Sequence, residues 1–154
     1  MTLLKFSHER LLPTLSEPLE EVTLTDWREN PSGNAGATAL VVDNDISLSD
    51  IASDLSGFSV VILIFPKFQD GRAYSQARLL RDRYGYTGEI RARGDVLRDQ
   101  ISYMVRCGFN AFEFSGEDVS GADKALREFS FAYQPAADSE APVWRKRLSR
   151  AAAA

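Results

Sequence analysis

The chain has 154 residues, 44% apolar and 26% charged, with a net charge of −4. That is about one domain of ordinary soluble composition, and it excludes collagenous, coiled-coil and wholly disordered architectures. One cysteine, one histidine (His8), no apolar run of about 18 residues and no signal-peptide core argue against internal disulfides, His-based catalysis, His-rich metal sites, membrane spanning and export, and a reducing, cytoplasmic setting fits.

Residues 1–38 read as an irregular N-terminal segment. Pro13, Pro18, Pro31 and Ser32-Gly33-Asn34 interrupt any period around one short strand near residues 22–24. From Ala39 the pattern changes to short apolar runs alternating with amphipathic stretches, so an α/β domain is expected over 39–135. Its first unit is a strand over 39–42, then Ser47 and Asp50 at capping-box spacing before a helix carrying Ile51, Ala52 and Leu55. The second strand, 59–65, is continuously apolar and should be internal, because such a run needs cover on both faces. A helix follows to Tyr84, with Tyr74, Ala77, Leu80 and Tyr84 on one face and Gly85 as a left-handed cap. The third strand, 89–93, leads through Gly94-Asp95 to a helix bearing Leu97, Ile101 and Met104, which Gly108 stops. The fourth strand, 109–114, precedes a helix capped by Ser120 and Asp123, with Ala122, Leu126, Phe129 and Tyr133 on one face. Residues 136–154 read as a flexible, solvated tail. Four consecutive βα units imply a mostly parallel sheet, either an open three-layer sheet or a half-barrel.

In either architecture ligands gather at loops leaving the carboxyl ends of the strands. Three are legible: 66–71, 94–95 and 115–118. In the first, Asp70 stands at an N-cap position and Gly71-Arg72 opens a helix, so Lys67, Asp70, Gly71 and Arg72 are candidates for an anion site; as a plain alternative, Asp70 merely caps and the cations are solvated. In the third strand, alternation puts Glu89, Arg91 and Arg93 on one face. Either it is an edge strand with one wet face, or Arg93, with Gly94 and Asp95 beyond it, points into a functional cleft; Asp95 also resembles an N-cap. Cys107, in the last turn of its helix, reads as an ordinary partly buried residue. No Cys-x-x-Cys or Gly-x-Gly-x-x-Gly is present, so no flavin, nicotinamide, haem or cluster cofactor is expected.

Residues 66–106 hold nine cations against five carboxylates, an excess of four, and the rest of the chain carries −8. That balance disfavours general nucleic-acid binding but leaves room for a local anion site.

The stretches Asp70-Gly-Arg-Ala-Tyr-Ser-Gln-Ala-Arg-Leu-Leu-Arg81, Gly88-Glu-Ile-Arg-Ala-Arg-Gly-Asp-Val-Leu-Arg-Asp-Gln100 and Arg106-Cys-Gly-Phe109 resemble a proteobacterial family, domain of unknown function 934. Its members are described as oxidoreductases involved in sulfite reduction and are often encoded beside assimilatory sulfite reductase. The resemblance implies bacterial assimilatory sulfur metabolism. Three readings follow: an accessory or regulatory protein binding sulfite reductase, another sulfur-assimilation enzyme or an anionic sulfur metabolite; an enzyme acting on an anionic substrate at Asp70, Arg72, Arg93 and Asp95; and a structural interaction module.

Overall fold

The structure, a computed structural model, describes residues 2–15, 17–49, 51, 53–114, 119–126, 135–137, 142–143 and 145–146, with side chains 119 and 120 left aside. Strands β1 (Thr2–Ser7), β2 (Arg10–Thr14), β3 (Glu21–Thr23), β4 (Ala39–Val42), β5 (Val60–Phe65), β6 (Glu89–Gly94) and β7 (Ala111–Phe114) form one open sheet in the order β2-β1-β7-β6-β5-β4-β3. β3 to β7 are parallel and β1 runs antiparallel to both β7 and β2. Helices α1 (Leu24–Glu29), α2 (Arg72–Arg78), α3 (Ile101–Cys107) and α4 (Val119–Leu126) complete it. Among the described residues no helix is long and apolar enough to cross a membrane.

Because β3 to β7 lie side by side in chain order, right-handed crossovers step in one direction and deliver every connection to the same face. The described helices therefore share one face, where Leu24, Ala73, Ala77, Ile101, Met104 and Ala122 meet Leu40, Val61, Leu63, Phe65, Ile90 and Phe112. The mostly parallel open α/β sheet expected from the sequence is found, with the described helices on one of its faces. The opposite face carries a small apolar cluster of Ala39, Val60 and Ile62. Ahead of β3, Leu19 packs on that cluster.

The sequence expectation for β5 holds: it lies between β4 and β6, with Val61, Ile62, Leu63 and Phe65 fully buried. Each such side chain contributes about 1.5–3 kcal/mol relative to exposure. Gly85 and Gly108 close their helices at φ +63° and +108°, as their spacing predicts. Between α2 and Gly85 the backbone widens into a π-turn, Leu79–Arg83.

Three expectations need correction. Residues 1–38 are not irregular, because β1 and β2 form an edge hairpin that buries Leu4 and Leu11. Its turn is His8-Glu9, both at positive φ (49° and 61°), where Asn-Gly would announce a hairpin. Among the described residues the helix expected after Ser47 is not found. Only a 3₁₀ turn, Leu55–Gly57, forms, since the loop's backbone carbonyls are taken by side chains, although Ile51 and Leu55 are buried as expected. The last helix, Val119–Leu126, already includes Ser120, and Asp123 Oδ1 accepts the Leu11 amide at 2.9 Å. Phe129, Tyr133, most of 136–154 and the loop 115–118 lie outside the described residues.

Candidate functional site

The carboxyl ends of β4, β5 and β6 feed loops that converge. Pro66 ends β5, and a turn closed by Asp70 N–H on the Lys67 carbonyl (3.0 Å) brings Asp70 to the start of α2. Asp70 Oδ1 accepts from Arg72 N (3.3 Å) and Nε (2.9 Å), and Oδ2 accepts from Nη2 (2.7 Å). The carboxylate therefore caps and grips the guanidinium at once. Arg72's hydrogen bond holds the Asp70 carboxyl well below the usual carboxylate range, and Asp70 in turn raises Arg72. Gly71 is the residue before the first turn and adds no side chain, while Lys67 is exposed.

Asp95 does not cap the next helix, contrary to expectation; the 3₁₀ turn Arg98–Gln100 that precedes α3 starts without a side-chain cap. Asp95 instead accepts the Phe68 amide (3.0 Å) while its own N–H donates to Phe65 O (2.8 Å), and Gln100 Nε2 donates to Phe68 O (2.8 Å). Gly94 makes this approach possible: at φ +110°, a Cβ there would stand 2.2 Å from Phe65 O. The first two predicted loops are thus lashed together.

Arg93 does not join them. β6 is not an edge strand: it lies between β5 and β7, and its arginines are paired with carboxylates. Arg93 Nε and Nη2 donate to Glu113 at 2.6 and 2.8 Å, while Nη1 and Nη2 donate to Glu21 at 2.8 and 2.7 Å. Arg91, 3% exposed, pairs with Glu89 at 2.6 Å and with Glu113 at 3.5 Å, and Lys5 reaches Glu89 at 2.8 Å. Lys5, Glu89, Arg91, Glu113, Arg93 and Glu21 form one chain of alternating charge on the sheet face away from the helices. Beside it lies a cavity of about 230 Å³ lined by Lys5, Glu17, Leu19 and Arg91 among others. Arg93 on β6 reaches Glu21 on β3, past β5 and β4. Arg72 and Arg93 therefore sit on opposite faces and share no anion site.

The Glu21 carboxyl is lowered from its ordinary value of 4.5, chiefly by the Arg93 hydrogen bond. A carboxyl depressed in the folded state contributes stability above its unfolded value and loses it as pH falls through the folded one. Unfolding free energy should therefore drop below about pH 4.5, and drop less steeply in Glu21→Gln. Equal slopes, from denaturant unfolding between pH 5 and 3, would contradict this.

Sequence reasoning missed the loop after β4, passing from Val42 to Ser47 over Asp43-Asn44-Asp45, the only available signal. Its carbonyls are pinned by side chains: Gln76 Nε2 to Asp43 and Ile46 (both 2.9 Å), Arg28 Nη2 to Ser47 and Ser49 (both 2.9 Å), and Tyr84 OH to Leu48 (3.1 Å). Between this loop and α2 lies a shallow groove of about 370 Å³ lined by Asn44, Asp45, Ser47, Ser75, Gln76 and Leu79 among others. Asn44 Nδ2 and Gln76 Oε1, both buried there, have no hydrogen-bond partner among the described residues. Asp45, in the lining, is exposed, which makes the groove unfavourable for an anion. Among the described residues no group of three or more His, Cys, Asp or Glu side chains is placed to hold a metal.

Cys107 is 1% exposed, beneath Tyr74 and Tyr103. Burial, with Cys107, Tyr103 and Asp99 nearby, pushes the Tyr74 hydroxyl up to about 12.

A family model described as "Bacterial protein of unknown function (DUF934)" matches residues 39–144. No curated protein matches the chain, and no solved structure does.

Proposed function

We propose that this chain, which belongs to the DUF934 family of bacterial proteins, is an accessory or regulatory protein of assimilatory sulfite reduction that works by binding a partner enzyme. The pathway comes from the resemblance carried by the 70–81, 88–100 and 106–109 stretches. The choice of a protein partner over a sulfur metabolite is supported by one observation: Arg72 and Arg93 already hold carboxylates in forked geometry, Arg72 on Asp70 and Arg93 on Glu21 and Glu113. An oxyanion arriving at either arginine has to displace a tethered carboxylate, so much of its gain is cancelled by the pair it breaks. The same pairing weakens the reading as an enzyme using Asp70, Arg72, Arg93 and Asp95 on one substrate.

The test is deletion of the gene in its bacterium, followed by growth on sulfate, sulfite or cysteine as sole sulfur source. An accessory role in sulfite reduction predicts slower growth on both sulfate and sulfite, restored by the plasmid-borne gene, and normal growth on cysteine. Equal growth of mutant and parent on all three overturns the reading.

A further inference from the structure

We infer that the groove between the loop after β4 and α2 is a binding site for a small uncharged carboxamide, held by the side chains of Gln76 and Asn44. The site goes beyond the partner-binding reading above and does not rest on it. Gln76 is 8% exposed, and the orientation of its amide is fixed: Nε2 donates to the carbonyls of Asp43 and Ile46, both at 2.9 Å. Turning the amide over would set Oε1 against those two acceptors. Oε1 is therefore the atom left over, buried and without a partner among the described residues. Asn44, 7% exposed, stands in the same lining, and its buried Nδ2 has no partner there either. Buried polar groups are nearly always paired, because an unmade hydrogen bond leaves the group stripped of water with nothing in return. The groove thus holds one unfilled acceptor and one unfilled donor.

The surroundings narrow the ligand. A carboxamide carries an acceptor for Asn44 Nδ2 and a donor for Gln76 Oε1 on separate atoms of one uncharged group. A carboxylate has no proton for Oε1 and meets exposed Asp45, with no Lys, Arg or His in the lining to offset the repulsion. An ammonium has no acceptor for Nδ2. Ile46 and Leu79 supply apolar wall for an alkyl substituent, and about 370 Å³ falls within the usual range of ligand clefts, about 300–1,000 Å³. Asn44 lies just past the carboxyl end of β4, where open parallel sheets bind their ligands. Leu79, in the lining, also opens the π-turn that follows α2, and such widened turns recur at functional sites.

The experiment titrates the nitrogen-labelled full-length chain with isocaproamide, with isocaproate, which replaces the amide by a carboxylate on the same carbon skeleton, and with isohexanol, which replaces it by a hydroxyl. Amide NMR spectra are followed into the millimolar range expected of so small a ligand. Isocaproamide should shift the side-chain signals of Asn44 and Gln76 and the backbone signals of residues 44–48 and 75–79 saturably. Isocaproate should bind about tenfold more weakly or worse, the effect of one unmade hydrogen bond. Asn44→Leu and Gln76→Met should each weaken isocaproamide by about the same factor. Gln76→Met also releases the carbonyls of Asp43 and Ile46, so thermal unfolding reports the folding of every variant. Ser75→Trp changes an exposed lining position, fills the groove without touching the core, and should abolish binding. No saturable shift in wild type overturns the site and leaves water to fill the unpaired atoms. Equal binding of isocaproamide and isocaproate, or binding that Ser75→Trp leaves unchanged, overturns the groove as the place of recognition. Isohexanol binding as tightly as isocaproamide overturns the carboxamide as the ligand class.

Discussion

Glu113→Ala is expected to lower the unfolding free energy by about 3–5 kcal/mol, the cost of removing one partner from a buried ion pair. Glu113 is 8% exposed and receives both Arg91 and Arg93. Its loss leaves Arg91, at 3% exposure, with Glu89 as its remaining ion-pair partner among the described residues and removes the carboxylate that the two arginines share. Arg72→Ala provides the contrast: its pair with Asp70 is exposed, and exposed pairs contribute little to stability. At about 2–4 °C per kcal/mol for a chain of this length, Glu113→Ala should lower Tm by about 6–20 °C. Thermal and denaturant unfolding check it. A change no larger than that of Arg72→Ala would mean that the buried charges are hydrated rather than paired.

Gly94→Ala should cost about 3 kcal/mol or more. A non-glycine residue at φ +110° carries about 1–3 kcal/mol of backbone strain, and the contact adds to it. The new Cβ would stand 2.2 Å from Phe65 O and 3.0 Å from Phe65 C, atoms of the central strand's backbone that cannot rotate aside. Gly85→Ala isolates the dihedral cost, because at φ +63° a Cβ there meets nothing within 4 Å and about 1–2 kcal/mol is expected. Urea unfolding of the two variants side by side separates clash from strain, and equal losses would contradict the close approach. Where Gly94→Ala remains folded, the strand end must shift, and with it the Asp95 grip on the Phe68 amide.

The parallel core was legible because its signals are local. The run from Val60 to Phe65 has no polar interruption, and Gly85 and Gly108 stand where helices need a left-handed residue. The N-terminal hairpin was not, because His8 and Glu9 occupy positive-φ positions that sequence assigns to Asn and Gly. The alternation of Glu89, Arg91 and Arg93 was read correctly as one charged face, but its partners, Glu21 and Glu113, come from strands 72 and 20 residues from Arg93 in sequence. No local pattern announces such a pairing. Asp95 failed as a predicted cap for a related reason: its partner amide belongs to Phe68, 27 residues away. The loop at Asp43-Asn44-Asp45 gave only composition, and the donors that shape it, Arg28, Gln76 and Tyr84, are brought to it by the fold alone.

The functional reading turns on whether the arginines at the strand ends are already neutralised. The direct measurement is thermal unfolding of the wild-type protein with increasing sulfite, sulfate and adenylyl sulfate, each against sodium chloride of equal ionic strength. A ligand at about 100 times its dissociation constant adds roughly 2.7 kcal/mol to the folded state. Arg72 held by Asp70, and Arg93 by Glu21 and Glu113, predict no stabilisation beyond the chloride control. A saturable rise in Tm with any of the three anions, abolished by Arg72→Ala or Arg93→Ala, would place a sulfur metabolite at these arginines and contradict the account.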